Sequence, residues 1–323
     1  MNTKTLYWLV RREFWEHRGG FIWAPVITSI VFLVLNLMGI VSGEVLGFRH
    51  GFNFGDLDSH DLAKTISSLD AHQMEKVGAG LDLAMLFPSL LISAVFAFAV
   101  FFYCLGTLYD DRRDRSILFW KSLPISNTAT VLSKVLAAIL IAPIVAVICG
   151  VLTGIATLLL FAITLSFHGV SVWSLLTLAH PFQAVGFLIG SIPLYLLWAL
   201  PTVGWLMLCS AWAKSKPFLW AVVIPVALGV IIGWFNLMGS AGFNSKWYWR
   251  EIVWRVLFSV VPGGWLHDTA AKQLGDNPDA IGHFFTLSNS YAVLATPEIW
   301  IGAVAGIAML AGAVWFRRWR DDS

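Results

Sequence analysis

The chain has 323 residues, 58% of them hydrophobic and only 12% charged, with a formal net charge of +2. A mean hydropathy of +0.75, with far fewer charges than the roughly 25% of an average soluble protein, excludes a water-soluble core. No nucleic-acid partner is expected.

Residues 3–18 read as an amphipathic helix. At 100° per residue Leu6, Tyr7, Val10 and Phe14 share one face and Arg12 and Glu16 lie opposite. Trp8, Arg11, Arg12, Phe14 and Trp15 then form an interfacial anchor on membrane lipid. The alternative is a cytoplasmic extension of the first spanning helix. The apolar run that follows is too long for a signal peptide, and no small-residue cleavage site follows it, so it reads as a retained span.

Six stretches contain no Asp, Glu, Lys, Arg or His: Gly19 to Gly43, Leu83 to Tyr109, Val135 to Phe167, Pro181 to Ala213, Pro217 to Ser245 and Ile299 to Phe316. About 20 apolar residues cross a hydrocarbon core, so the expected fold is an all-α integral membrane protein with six transmembrane helices. It forms a single domain over 1–323, with spans near 21–43, 83–109, 132–165, 184–212, 218–240 and 298–316. A proton relay needs ionisable groups in the spans, and these offer none, although proline kinks leave room for carbonyl-lined ion sites. Ser29 and Asn36, seven apart on one face of the first span, and Asn236 near the end of the fifth are candidate pathway residues. They serve equally as interhelical hydrogen-bonding groups.

The polar segment 44–82 carries helical spacing at Leu62, Ile66, Leu69 and Val77. His50, His60 and His72 with Asp56, Asp58 and Asp61 match no compact metal-ligand spacing, so a solvated acidic loop is expected and no metal site. Pro143, Pro193 and Pro201 predict kinks in the third and fourth spans. Small pairs four apart, Gly150 with Gly154, Gly186 with Gly190, Gly229 with Gly233 and Gly302 with Gly306, predict close helix packing or dimer contacts. Cys104, Cys149 and Cys209 lie inside apolar spans without paired spacing and read as packing residues. In the segment 246–297, Trp247, Tyr248, Trp249 and Trp254 precede the apolar run Val256 to Val261. An interfacial or re-entrant helix is favoured over a seventh crossing, which would reverse the side of Arg317, Arg318 and Arg320.

With six crossings both termini share one side, which holds 14 of the 21 basic residues and 7 of the 19 acidic ones. The positive-inside rule makes that side cytoplasmic, in a bacterial-type inner membrane. The loop 110–130 on this side is the most informative. Asp110, Asp111, Arg112, Arg113, Asp114 and Arg115 lead into the apolar patch Ile117, Leu118, Phe119 and Trp120, then Lys121 and the breaker Pro124. Such a patch suits docking into a groove on another protein. A membrane-surface turn is the plainer reading.

This loop resembles that of ABC-2 type ATP-binding cassette transporter permeases. The shared features are the mixed charges of Asp110 to Arg115, the Ser116-Ile117 step and Trp120 to Ser126 as Trp-Lys-Ser-Leu-Pro-Ile-Ser, with Ser116 in place of the commoner glycine. The resemblance implies an ATP-driven exporter in which two permease copies, expected as a homodimer, bind two cytoplasmic ATPase subunits. The loop 110–126 is then the coupling element, and Asp110, Asp111, Arg112, Arg113, Asp114, Arg115, Phe119, Trp120, Lys121 and Pro124 form its coupling set. The chain has no Gly-x-x-x-x-Gly-Lys-Ser/Thr phosphate loop, no His-Glu-x-x-His helix and no Gly-x-Ser-x-Gly turn. It is therefore expected to be no enzyme, with no catalytic, cofactor or metal site, ATP and Mg being bound by the partner ATPase. Two other classes compete: an ion-coupled secondary transporter, and a non-transporting ABC-like scaffold for an envelope assembly.

Overall fold

The structure is a computed structural model that describes residues 3–50, 70–114, 125–167, 171, 178–238, 245–266 and 285–319. Among these no strand occurs. Helix α1 (Thr3–Glu16) precedes α2, whose π-helical start Gly19–Trp23 runs into Ala24–His50. Then come α3 (Ala71–Arg113), α4 (Asn127–Phe167), α5 (Pro181–Trp198), α6 (Leu200–Trp212) and α7 (Leu219–Leu237). After α7 follow α8 (245–258), the short α9 (Leu287–Tyr291) and α10 (Pro297–Trp319). Helices α2, α3, α4, α5, α7 and α10 are each long and apolar enough to cross a membrane. The chain is thus an all-α, multi-pass membrane protein.

Proline sets where these helices depart from regularity. In α2, α4 and α7 a π turn ends two residues before a proline: Gly19–Trp23 before Pro25, Ala137–Ile141 before Pro143, Leu219–Val223 before Pro225. Proline has no N–H for the carbonyl four residues back and crowds it with its ring, and a widened turn moves that carbonyl aside. In α7 the affected carbonyl, Ala221 O, accepts the Trp205 indole N–H at 2.9 Å. The fourth crossing breaks instead, at Ser191 and at Ala199, each two residues before Pro193 and Pro201. The second spanning helix begins at Ala71, well before the apolar run from Leu83, because a polar first turn is as helical as the membrane part. Val77 lies in that helix, whereas Leu62, Ile66, Leu69, His60, Asp56, Asp58 and Asp61 lie outside the described residues.

The centre of the bundle is α3 against α4 and α6 against α10, with α6 also leaning on α3. The four-residue glycine pairs mark these contacts. A Cβ at Gly150 would meet Ser89 and one at Gly154 would meet the Met85 carbonyl. One at Gly306 would lie 2.5 Å from the backbone of Leu200, and Gly204 faces Gly306 from the other side. Both pairs therefore serve packing within the chain. Helices α2 and α7 are peripheral: 6% and 17% of their apolar windows are buried, against 44% in α3 and α4. Outward faces such as Ile27, Val34 and Leu35 on α2, or Ile231 and Trp234 on α7, are left to lipid or to another chain.

At about 1.5 Å per residue α8 covers about 21 Å, short of the roughly 30 Å core. It runs back along α7, with Ser245 beside Gly233, Trp249 beside Gly229 and the Tyr248 hydroxyl donating to Pro225 O at 3.0 Å. It enters the body between the fourth crossing and α10: Thr202 donates to Arg255 O at 3.0 Å and Tyr195 to Val260 O at 3.2 Å. Gly263, at φ +83, supplies the left-handed residue that turns the chain at Pro262-Gly263-Gly264.

Candidate functional site

The ends of α1, α3 and α10 and the start of α4 meet at one end of the bundle, here called the terminal end. Four charged side chains are gathered there. Glu13, Lys134 and Arg317 are each only 3–4% exposed. Lys134 Nζ lies 3.1 Å from Glu13 Oε1 and 3.5 Å from Asp111 Oδ1 and donates to Thr107 Oγ1 at 2.8 Å. Arg317 Nη1 reaches Asp111 Oδ2 at 3.0 Å, and the Tyr103 hydroxyl donates to Glu13 Oε2 at 3.1 Å. Two carboxylates face two cations, so the cluster is neutral in sum. Buried charges persist only when paired and hydrogen-bonded in this way.

The helix period explains how the run Asp110 to Asp114 divides. Asp111 and Arg112 turn inward. Arg112 donates to Ser210 O at 2.6 Å and Ala213 O at 3.0 Å, capping the last carbonyls of α6 with a cation. The Ser210 hydroxyl in turn accepts from the backbone N–H groups of Leu108 and Tyr109. Asp110, Arg113 and Asp114, spaced i, i+3, i+4, share the exposed face. Arg113 and Asp114 pair loosely at 3.7 Å. Ser126, closing the Leu-Pro-Ile-Ser motif, caps α4 by accepting from Ala129 N at 3.2 Å. Arg115, Phe119, Trp120, Lys121 and Pro124 lie outside the described residues.

On α1 the buried face is Leu9 with Glu13, and Tyr7 is 61% exposed. Of the expected apolar face, Leu6, Val10 and Phe14 are half-buried and Tyr7 is exposed, while Glu13 is held inward by Lys134. Trp8 and Trp15 are exposed, Arg11 lies over the Trp8 ring at 5.1 Å, Arg12 pairs with Glu16 at 2.9 Å, and Phe14 packs on Phe21. Beside the cluster the Phe102, Gly106 and Asp110 face of α3 borders two open hollows of about 550 and 340 Å³. Lys216 and Phe218 flank one, Glu16 and His17 the other. The proposed pathway residues do not converge: Ser29 donates to Pro25 O within its own helix, Asn36 is half-buried and Asn236 is exposed.

Sequence reasoning missed Glu13, Lys134 and Arg317 as inward-facing groups, and it missed Arg255. The last is 7% exposed, carried inside the bundle by α8. Its guanidinium stacks over Trp198 at 3.9 Å and donates to Glu298 O at 3.2 Å. Burial pulls its pKa down, with Glu251 and Glu298 opposing. Gly302 leaves it room, since a Cβ there would strike the guanidinium.

The family model described as ABC-2 family transporter protein matches residues 83–208, from within α3 through α4 and α5 into α6. Over this stretch the chain is similar to the ABC-2 transporter family. No curated protein and no solved structure matches it. The matched region holds Asp111, Lys134, Tyr103, Thr107 and Arg112, while Glu13 and Arg317 come from outside it. The ion cluster thus ties the matched region to the helices that flank it.

Proposed function

We propose that this chain is an ABC-2 permease, the membrane subunit of an ATP-driven exporter, with two permease copies forming the pathway and two cytoplasmic ATPase subunits supplying the energy. ATP and Mg are bound by those partners, the terminal end faces the cytoplasm of an inner membrane, and the loop 110–126 is the coupling element. The observation that carries this reading is the ion cluster immediately before that loop. A displacement of the end of α3 passes through Asp111 to Lys134 on α4, Arg317 on α10 and Glu13 on α1. Arg112 passes the same displacement to α6.

In this scheme Asp110, Arg113, Asp114, Arg115, Phe119, Trp120, Lys121 and Pro124 meet the ATPase, whereas Asp111 and Arg112 transmit inside the membrane subunit. Trp8, Arg11, Arg12, Phe14 and Trp15 hold α1 at the lipid interface. The hollows beside Phe102, Gly106 and Asp110 form the cytoplasmic mouth of the pathway. The subunit itself performs no catalysis.

The test is purification of the tagged chain in mild detergent from its native membrane, with mass spectrometry of what stays bound. A stoichiometric partner with a phosphate-binding loop, displaced by Arg113→Glu or Trp120→Ala, is expected. If no ATPase is retained even after crosslinking at position 113, the proposal fails and the secondary-transporter and scaffold readings replace it.

A further inference from the structure

The larger of the two terminal hollows, about 550 Å³, lies between the end of α3 and the turn from α6 into α7. Its wall changes character along its length. Phe102, Gly106 and Asp110 fall four residues apart on one face of α3, so about 12 Å of wall leads from an aromatic ring to a carboxylate. Opposite, Lys216 leads into Phe218 and Leu219. Phe102, Phe218 and Leu219 are 57%, 45% and 46% exposed, so the apolar length of the hollow is open on the outer surface of the bundle. Neither charge in the wall is matched. Among the described residues the Asp110 carboxylate and the Lys216 ammonium make no ion pair or hydrogen bond, with each other or with any other group. The carboxylate lies back along α3 over Gly106, where a Cβ would come within 2.8 Å of Asp110 Oδ2. Lys216 has φ +47, in the left-handed region that glycine ordinarily takes. A lysine kept at such a position, on the rim of a hollow, points to a task for its side chain.

The occupant that complements this wall is an amphiphile with both signs of charge at one end and hydrocarbon at the other. A purely anionic head would meet Asp110 without compensation, and a purely cationic one would meet Lys216. We propose that the hollow seats a zwitterionic phospholipid with a primary ammonium, of the phosphatidylethanolamine type. Its phosphate accepts from the Lys216 ammonium, its own ammonium donates to the Asp110 carboxylate, and an acyl chain lies along Phe102 and Leu219. Hydrogen bonds between ionised groups are the strong ones, and here they form at the edge of an apolar wall. The volume lies within the about 300–1,000 Å³ of small-molecule sites. The hollow is the one read above as a cytoplasmic mouth, but the lipid site does not rest on that reading, since it needs neither an ATPase nor transport.

The experiment uses the full chain, without any partner, in phosphatidylcholine vesicles. Each sample carries a trace of one of three probes with the same acyl-chain diazirine and an ethanolamine, choline or glycerol headgroup. After irradiation, labelled peptides are mapped by mass spectrometry. The ethanolamine probe is expected to label 102–110 and 216–219 several-fold more than the outward α2 residues Ile27 and Leu35, and several-fold more than the other two probes do. Lys216→Gly removes the ammonium at a position where glycine takes φ +47 freely, so the melting temperature should not fall. Labelling should drop about tenfold, the loss of one charged hydrogen bond. Asp110→Asn removes the charge that repels an anionic head, and the preference for ethanolamine over glycerol should vanish. Equal labelling of the wild-type hollow by the three probes overturns the inference, as does unchanged labelling of Lys216→Gly. Labelling at the hollow no higher than on α2, as for a hollow covered by a second copy of the chain, overturns it too. Absence of an ATPase partner alters none of these outcomes, so the two proposals fail separately.

Discussion

Lys134→Met tests the ion cluster most directly. The side chain keeps its length and loses its charge at a position 3% exposed. Lys134 makes contacts at 3.1 Å to Glu13, 3.5 Å to Asp111 and 2.8 Å to Thr107, and all are lost together. Asp111 keeps Arg317 at 3.0 Å, so the charge that loses its close counter-ion is that of Glu13, left with the Tyr103 hydroxyl at 3.1 Å and the His17 imidazole at 3.9 Å. Removing one partner of a buried pair costs about 3–5 kcal/mol. Because Tyr103 still serves Glu13, the low end applies, about 3 kcal/mol, or a fall in melting temperature of about 6 °C for a chain of this size. Glu13→Gln alone strands the other sign and should cost a similar amount. The double variant leaves one carboxylate, Asp111, facing one guanidinium, Arg317, and balance returns. Its loss should be smaller than the sum of the singles by at least about 1.5 kcal/mol. The assay is thermal unfolding of the detergent-purified protein followed by size-exclusion monodispersity. A single variant melting within a degree of wild type, or a double variant equal to the sum, would refute the argument that these charges are buried and paired.

Gly306→Ala should lower stability by about 1–3 kcal/mol or more, because its Cβ would overlap the Leu200 backbone, which cannot rotate away. Gly39→Ala on α2, with nothing near its Cβ, should melt like wild type, and equal behaviour of the two would show that α6 and α10 are not in backbone contact. Trp205→Phe should cost about 1–2 kcal/mol by stripping Ala221 O of its donor. Adding Pro225→Ala restores a backbone N–H four residues on, so part of that loss should return. No recovery would mean that Trp205 acts through packing alone.

Much of the architecture was legible because a bilayer imposes one rule on every crossing helix: length and freedom from charge. The six charge-free stretches, the kinks near Pro143, Pro193 and Pro201, and the use of Gly150, Gly154, Gly302 and Gly306 for close packing all follow from local chemistry. Two further proline effects follow from the same rule, at Pro25 and Pro225, and were readable in principle. The cluster was not legible. Glu13 and Lys134 are 121 residues apart and Asp111 and Arg317 are 206 apart, and each stands just outside an apolar stretch, where a solvated charge is the usual expectation. Counting charges by side located all four at the same end but could not say that they touch. The buried Arg255 escaped for a related reason: α8 is too short to span, and nothing within it specifies that Thr202, Trp198 and Glu298 receive it.

The pairing pattern also constrains how the terminal end can move. Glu13 pairs with Lys134 and Arg317 with Asp111, so neither of these two pairs can open without leaving a charge poorly matched at a buried site, whereas the Asp111–Lys134 contact between them can. With several kcal/mol at stake per stranded ion, α1 is held to the start of α4 and the end of α3 to α10, and the 3.5 Å contact of Asp111 with Lys134 joins the two pairs more weakly. The charges on the other face of the same helical turn, Asp110, Arg113 and Asp114, carry no such constraint and can exchange partners at little cost. One short run of alternating charges therefore does two separable things. Its inner face makes the end of the bundle rigid, and its outer face remains available to a partner. On the proposed function this division is what coupling requires, because a docking surface transmits motion only if the element beneath it does not yield. Charge reversal at Arg113 should then weaken partner binding without lowering the melting temperature, whereas loss of Lys134 should do the opposite first.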